Sequence, residues 1–158
     1  MAGQSETFCN QPLRFSIPTR DARGRLVRLD DVLAEILAAH AYPPLIEKTL
    51  AEALVLTALL GASLKEKGSQ LTLQTQTEKG AIRLMACDYK DGALRGYAQF
   101  DPATVAALPD DSTLFGIFGK GYLAITFDRM KPAVEGGGRY QGIVPLEGDT
   151  LADAAANY

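Results

Sequence analysis

The side chains that could carry out chemistry in this chain are few and widely separated. His40 is the single histidine, and it lies at the predicted end of a helix, where the dipole favours a cation and a structural role is common. A lone histidine without a partner does not define a general base. The two cysteines, Cys9 and Cys87, stand far apart, which indicates neither a disulfide framework nor a metal-ligand pair. We therefore predict no catalytic residue, no cofactor site and no zinc site in this chain.

Two glycine-rich segments match anion-binding loops only in part. The segment "GIFGKG" (116–121) has two residues between glycines where a phosphate loop needs four, and a glycine follows its lysine where Ser or Thr is required. The segment "EGGGR" (135–139) favours a hairpin connection over an anion nest. The acidic pairs at 30–31 and 110–111 stand at predicted helix or turn starts, where carboxylates stabilise free N–H groups.

One apolar cluster punctuated by glycines allows two interpretations. Aromatic side chains dominate protein cores, so the favoured role is to fill the core. Aromatic loops of this kind also make adaptable apolar surfaces, which would suit a protein that holds other proteins. The cluster consists of Leu114, Phe115, Ile117, Phe118, Tyr122 and Leu123.

Composition excludes several classes of protein. The chain has 158 residues, 47% of them hydrophobic and 22% charged, which is typical of one globular domain. The net charge of −3 gives no basic footprint for nucleic acid. No apolar run approaches the ~20 residues that a membrane span needs, and the N-terminus lacks the features of a secretory signal. We expect a cytoplasmic protein.

The first third of the chain predicts a hairpin followed by two helices. Alternating residues at 13–19 and 25–30 flank a turn and indicate two half-buried strands, preceded by a flexible segment at 1–12. Asp30 is expected to cap a first helix. A second helix from Pro44 or Leu45 is apolar on every side in its second half, which predicts a central buried helix.

The remainder predicts an antiparallel meander and further strands, and hence an α+β fold. The fold class is a largely antiparallel or mixed sheet packed on the central helix, with shorter helices beside it. The segment "LFGIFGKGY" is expected to be a loop before a strand at 122–128. With Leu71, Leu73, Ile82, Leu84, Leu94 and Ala98 facing the helix, the opposite face of the meander would carry Thr72, Gln74, Gln76, Arg83, Met85, Arg95, Tyr97 and Gln99.

The last segment, "RYQGIVPLEGDTLADAAANY" (139–158), predicts a strand, a turn at Gly148 and a helix that Asp149 or Thr150 caps. No Gly, Pro or basic last turn follows Ala156 to end the helix. We therefore expect that the helix continues in a longer protein.

Four segments resemble the N-terminal domain of the heat shock protein 33 family, the bacterial redox-regulated chaperones. The resemblance runs from about Leu13 to Tyr158, and its last segment is the most specific. The segments are "HAYPPLIEKTLAEALVLTALLGASLK", "GAIRLMACDYKDGALRGYAQF", "GKGYLAITF" and "RYQGIVPLEGDTLADAAANY".

The resemblance implies a chaperone and not an enzyme. In the family, a helical linker and a C-terminal zinc domain with four cysteines follow the N-terminal domain; oxidation releases the zinc, and the chaperone then dimerises and binds unfolding proteins without ATP. Cys9 and Cys87 match none of those cysteines, so the chain at 13–158 resembles a truncated N-terminal domain without the zinc switch. Zinc is expected in the full-length protein only.

The implied partners are unfolded or partly folded proteins and, in addition, a second copy of the chain. In the idle family members, the linker helices pack on the sheet of the N-terminal domain. A small-molecule enzyme domain and a plain oligomerisation module stay open as alternatives. The predicted client or linker surface consists of Gln74, Gln76, Met85, Tyr97, Gln99, Phe115 and Phe118.

Overall fold

The structure, a computed structural model, describes residues 9–135 and 137–158. Strand β1 (Leu13–Ile17) and strand β2 (Ala22–Leu26) form a separate two-stranded sheet. A short 3-10 turn and Asp21, whose φ of 47° is left-handed, join them. Residues 1–8 of the predicted flexible segment lie outside the described part, whereas Asn10 donates its backbone N–H to the Arg28 carbonyl at 2.7 Å.

The hairpin was predicted correctly, but its second strand lies elsewhere, and neither strand has the buried face that the alternation predicted. The second strand lies at 22–26 and not at 25–30, because Leu13 pairs with Leu26 and Ile17 with Ala22. The apolar side chains of the hairpin are about half exposed, with Phe15 at 49% and Leu26 at 54%. The Phe15 ring lies over Gly24, where a Cβ would collide with it.

Helix α1 (Asp31–Ala38) leads to helix α2 (Pro44–Gly61), which is the central helix of the fold. Pro44 occupies the first turn of α2, where its missing N–H costs nothing. Thr57 is fully buried and donates its hydroxyl to the Ala53 carbonyl at 2.7 Å. One face of α2 is buried throughout, whereas Leu59 and Leu60 are half-buried. The prediction that its second half is covered on every side was therefore too strong.

A five-stranded sheet forms the body of the molecule. All its neighbouring strands are antiparallel, in the order β5-β4-β3-β6-β7. This confirms the meander, although the sheet is antiparallel and not mixed. Its strands are β3 (Gln70–Thr77), β4 (Ile82–Lys90), β5 (Ala93–Phe100), β6 (Gly121–Arg129) and β7 (Gly138–Pro145).

The described residues also form three short α-helices, α3 (Pro102–Ala106), α4 (Leu114–Phe118) and α5 (Leu151–Ala156). Helix α4 corrects the predicted loop, because the Thr113 hydroxyl accepts from the Gly116 N–H and starts a helical turn. Helix α5 begins as predicted, with Thr150 as its N-cap.

The core lies between α2 and one face of the sheet. Gly96 of β5 permits the close approach, since a Cβ there would lie 2.7 Å from Leu54 Cδ2 and 3.1 Å from Cys87 Sγ. Leu50 and Leu54 of α2 are fully buried. This contact fixes which sheet residues face the helix and which face away from it.

A one-residue shift of register in β4 determines which of its side chains face α2 and which face away. Ile82 pairs with Phe100, but Leu84 pairs with Gln99, so one residue is inserted at Arg83. A bulge of this kind reverses the alternation of the residues beyond it. Met85 and Cys87 therefore join Ile82 in the core, and Leu84 turns away from α2.

Candidate client-binding surface

The side of the sheet away from α2, called here the outer face, is formed by alternate residues of all five strands. The register of the four strand pairs places these residues in transverse rows. The first row is Gln99, Leu84, Gln76, Tyr122 and Pro145; the second is Tyr97, Ala86, Gln74, Ala124 and Ile143; the third is Arg95, Asp88, Thr72, Thr126 and Gln141.

The first two rows make a shallow, uncharged trough. Small residues stand near the middle of the second row, and bulky residues stand at its two ends: Tyr97 is 46% exposed and Ile143 60% exposed. Tyr122, 39% exposed, donates its hydroxyl to Gln76 Oε1 at 2.7 Å. The trough therefore offers apolar side chains beside amide groups that hydrogen-bond, with no charged side chain in either row.

The third row closes the trough with a hydrogen-bonded polar network around Asp88. The Asp88 carboxylate accepts from the Thr72 hydroxyl at 2.6 Å, from Gln70 Nε2 at 3.1 Å and from Arg95 Nε at 2.7 Å. Partial burial raises the pKa of Asp88, but the bonds from Thr72 and Arg95 and the charge of Arg95 outweigh it, so the pKa lies below its ordinary value. The lowered pKa keeps Asp88 ionised, as an acceptor for these three hydrogen bonds.

Four of the predicted surface residues come together on the outer face: Gln74, Gln76, Tyr97 and Gln99. Leu84, Tyr122 and Ile143 lie on the same face; they were not among the predicted surface residues, although Tyr122 was part of the predicted apolar cluster. The alternation of β6 and β7 was a usable signal for Tyr122 and Ile143, whereas the bulge that turns Leu84 outward left no clear mark in the sequence.

Three predicted surface residues lie elsewhere. Met85 is fully buried because the bulge at Arg83 turns it toward α2. Phe118 is also fully buried, and its backbone packs against Gly80 in the turn before β4. Phe115 is 68% exposed, but it lies on α4 and not on the outer face. Of the apolar cluster, Leu114, Ile117, Phe118 and Leu123 are buried in the core, whereas Phe115 and Tyr122 are exposed.

A family model described as "Hsp33 protein" matches residues 10–158. The chain belongs to the Hsp33 family. The 33 kDa chaperonin of Caulobacter vibrioides is 40% identical over 148 residues, which cover 91% of this chain and 47% of that protein. The 33 kDa chaperonin of Photobacterium profundum is 40% identical over 146 residues, covering 92% of this chain and 46% of that protein. The chain thus spans about half the length of these curated relatives.

The fold agrees with a solved Hsp33 structure. The crystal structure of the 33 kDa chaperonin from Thermotoga maritima, a heat shock protein 33 homologue, superposes with a TM-score of 0.75. It is 24% identical in sequence, and the match covers 94% of this chain and 50% of that chain. This likeness confirms the α+β fold.

In this Hsp33 family member, the histidine and the two cysteines are each packed or hydrogen-bonded to neighbouring residues. The His40 ring packs against Tyr42 and Tyr97, with ring centroids 5.4 Å apart in both pairs. Burial raises the pKa of the Cys87 thiol to about 12. The half-buried Cys9 donates its thiol to Asp30 Oδ2 at 3.1 Å, and this bond is the main cause that raises its pKa. The relatives are named as chaperonins and not as enzymes, which agrees with this geometry.

Within 9–135 and 137–158, no three His, Cys, Asp or Glu side chains lie together as metal ligands. Over the same residues, no helix combines the length and the apolar character needed to cross a membrane.

Proposed function

We propose that this chain is the substrate-binding domain of an ATP-independent chaperone, and that unfolded or partly folded protein binds on the outer face. The observation that supports the proposal most directly is the uncharged trough of the first two rows, with exposed Tyr97, Tyr122 and Ile143 around small central residues. The names of the curated relatives support the class of function.

The chemistry of the trough suits many different partners. Exposed apolar groups gain free energy when an unfolded chain covers them. The amides of Gln74, Gln76 and Gln99 both donate and accept hydrogen bonds, so they satisfy extended backbone in any register. Since the two rows carry no charge, they do not select clients by sign. Low selectivity of this kind is typical of promiscuous binding surfaces.

The regulation implied by the family resemblance forms the finer part of the proposal. We place the zinc and its switch cysteines in a part of the full-length protein beyond the matched domain. The two thiols of this chain support that placement, since Cys87 is buried and Cys9 is bonded to Asp30. In the idle protein the linker would occupy the outer face, and its release would expose the trough to clients. Homodimerisation and a cytoplasmic location stay predictions.

The test of the outer face is a double variant, Tyr97→Lys with Ile143→Lys. Both side chains are about half exposed, so each lysine projects into solvent without opening the core. Two charges at opposite ends of the trough should oppose the binding of apolar client segments. We expect the variant to lose most of its suppression of aggregation of a heat-denatured client, measured by light scattering without ATP.

The matched control is the double variant Met130→Lys with Val134→Lys, which places two lysines on exposed apolar residues away from the outer face. It should suppress aggregation like the parent chain. Equal suppression by both variants would contradict the outer face as the client site. A parent chain that forms a stable symmetric dimer and suppresses no aggregation would favour the oligomerisation module instead. Phe115→Lys, on α4, tests separately whether this exposed aromatic residue of the apolar cluster binds clients.

A further inference from the structure

The β1–β2 hairpin concentrates positive charge in an otherwise acidic chain. Residues 13–28 hold five arginines and a single aspartate, whereas the whole chain has a net charge of −3. Arg28 is paired with Asp30 at 3.2 Å. The other hairpin arginines form no ion pair with a described carboxylate. The hairpin is therefore a basic segment of an acidic chain, and it lies outside both the core and the outer face.

The register of the hairpin places its arginines in mutual opposition. Arg14 stands directly opposite Arg25, and Ser16 stands opposite Arg23. Arg23 and Arg25 are two residues apart on one strand, so all three arginines share one face. Like charges directly opposite each other destabilise an antiparallel pair. An anion bound between the guanidinium groups would relieve this repulsion.

A groove lies beside this face, between the hairpin and the C-terminal end of α2. Its volume is about 610 Å³, which lies in the range of small-ligand sites, roughly 300 to 1,000 Å³. Leu59 and Leu60 of α2 form an apolar wall, and Lys65 adds a fourth cation. Within the described part of the chain, no carboxylate lines the groove.

One bond already fixes an arginine across the groove. Arg14 Nη2 donates to the carbonyl of Ala62, which follows the last residue of α2, at 3.0 Å. A cation is favourable at this end of a helix. A guanidinium group has five N–H donors, so Arg14 keeps donors for a ligand while this bond holds its position. The arginine face is thereby turned toward α2.

We propose that this groove binds a compact polyanion with two or more linked phosphate groups. Guanidinium groups match phosphate oxygens with paired, parallel N–H donors. A ligand of roughly three to four negative charges would neutralise the four cations. Two terminal phosphate groups supply that charge, at about −1.5 to −2 each. A single phosphate or carboxylate leaves most of the cations uncompensated. Leu59 and Leu60 provide contact for an apolar moiety attached to the phosphates.

The experiment is calorimetric titration of the 158-residue chain with inorganic pyrophosphate, with ATP in the absence of magnesium, and with citrate, in about 0.15 M salt, where long-range attraction is screened. Pyrophosphate, ATP or both should bind with one ligand per chain. Binding of ATP alone assigns the site to a nucleotide, and equal binding of both assigns it to the phosphates. Citrate that binds as tightly as both phosphate ligands would overturn the proposal, as would no binding of either phosphate ligand.

Two variants assign the binding to the groove. Arg25→Gln should weaken binding by about tenfold or more, the loss expected for a hydrogen bond between charged groups. Without ligand it should unfold at the same or a higher temperature than the parent, because the repulsion between Arg14 and Arg25 is gone. The control Arg20→Gln removes the same charge from the hairpin turn, outside the groove, and should change the affinity by less than about threefold. Equal losses in both variants would show nonspecific attraction and overturn the proposal.

Discussion

At the scale of single residues, Cys87 shows how position decides reactivity. The bulge at Arg83 turns Cys87 into the core beside Gly96, where the thiol is fully buried. Burial disfavours the thiolate, which is the reactive form of cysteine. The buried Cys87 thiol is therefore unreactive. The same shift removes Met85 from the predicted client surface.

Burial of Cys87 predicts a loss of stability at alkaline pH. Its pKa is raised from 9.0 to about 12 in the folded chain. Above about pH 9 the unfolded chain binds fewer protons, so the free energy of unfolding falls as pH rises toward about 12, by up to about 1.4 kcal/mol per pH unit. Urea unfolding at about pH 8 and about pH 10 measures the fall. In Cys87→Ala, the free energy of unfolding should fall less steeply between these two pH values. Some fall should remain, because burial also raises the pKa of Tyr42. An unchanged slope would contradict the assignment of the fall to Cys87.

At the scale of elements, helix α5 is defined by its first turn. The Thr150 hydroxyl accepts from the Asp153 N–H at 3.1 Å, and the Asp153 carboxylate accepts in return from the Thr150 N–H at 3.0 Å. The Thr150 hydroxyl and backbone N–H lower the pKa of Asp153. This reciprocal capping holds the side chain of Leu151, which is fully buried, against the core.

The capping box predicts a measurable cost for its removal. Thr150→Ala removes the acceptor of the Asp153 N–H, so we expect a loss of about 1 kcal/mol in the free energy of unfolding. The measurement is urea unfolding monitored by circular dichroism. Thr150→Ser keeps the hydroxyl and serves as the control, with less than half of that loss. If Ser and Ala are equally destabilising, the hydroxyl does not cap α5.

The elements also show how far the sequence determines the fold. Alternation over β3, β4 and β5 and the continuous apolar half of α2 were sufficient to predict the meander and the central helix, because burial imposes those periods. The bulge at Arg83 was not predictable, since one inserted residue leaves each half of β4 with a normal pattern. Helix α4 was missed because its glycines masked the Thr113 cap, which was the available signal.

At the scale of the whole molecule, the two sides of the sheet differ in burial. The inner side and α2 form the core, and the outer face carries the trough. The arginines lie on a third surface, beyond the end of α2 and outside both. The proposed client site and the proposed polyanion site should therefore be separable by mutation: Tyr97→Lys with Ile143→Lys should leave the affinity for pyrophosphate unchanged, and Arg25→Gln should leave client suppression unchanged.

The whole chain should respond little to oxidation, because neither thiol is placed to act as a switch. Cys87 is fully buried with its pKa raised by burial, and Cys9 is half-buried with its pKa raised mainly by its bond to Asp30. Oxidation by peroxide follows thiolate character and exposure. We expect peroxide to change neither the circular dichroism spectrum nor the suppression of client aggregation.

The double variant Cys9→Ser with Cys87→Ala is the control and should match the parent chain after peroxide treatment. A large gain in client binding by the oxidised parent, absent from the double variant, would show that these two cysteines carry a redox switch of their own.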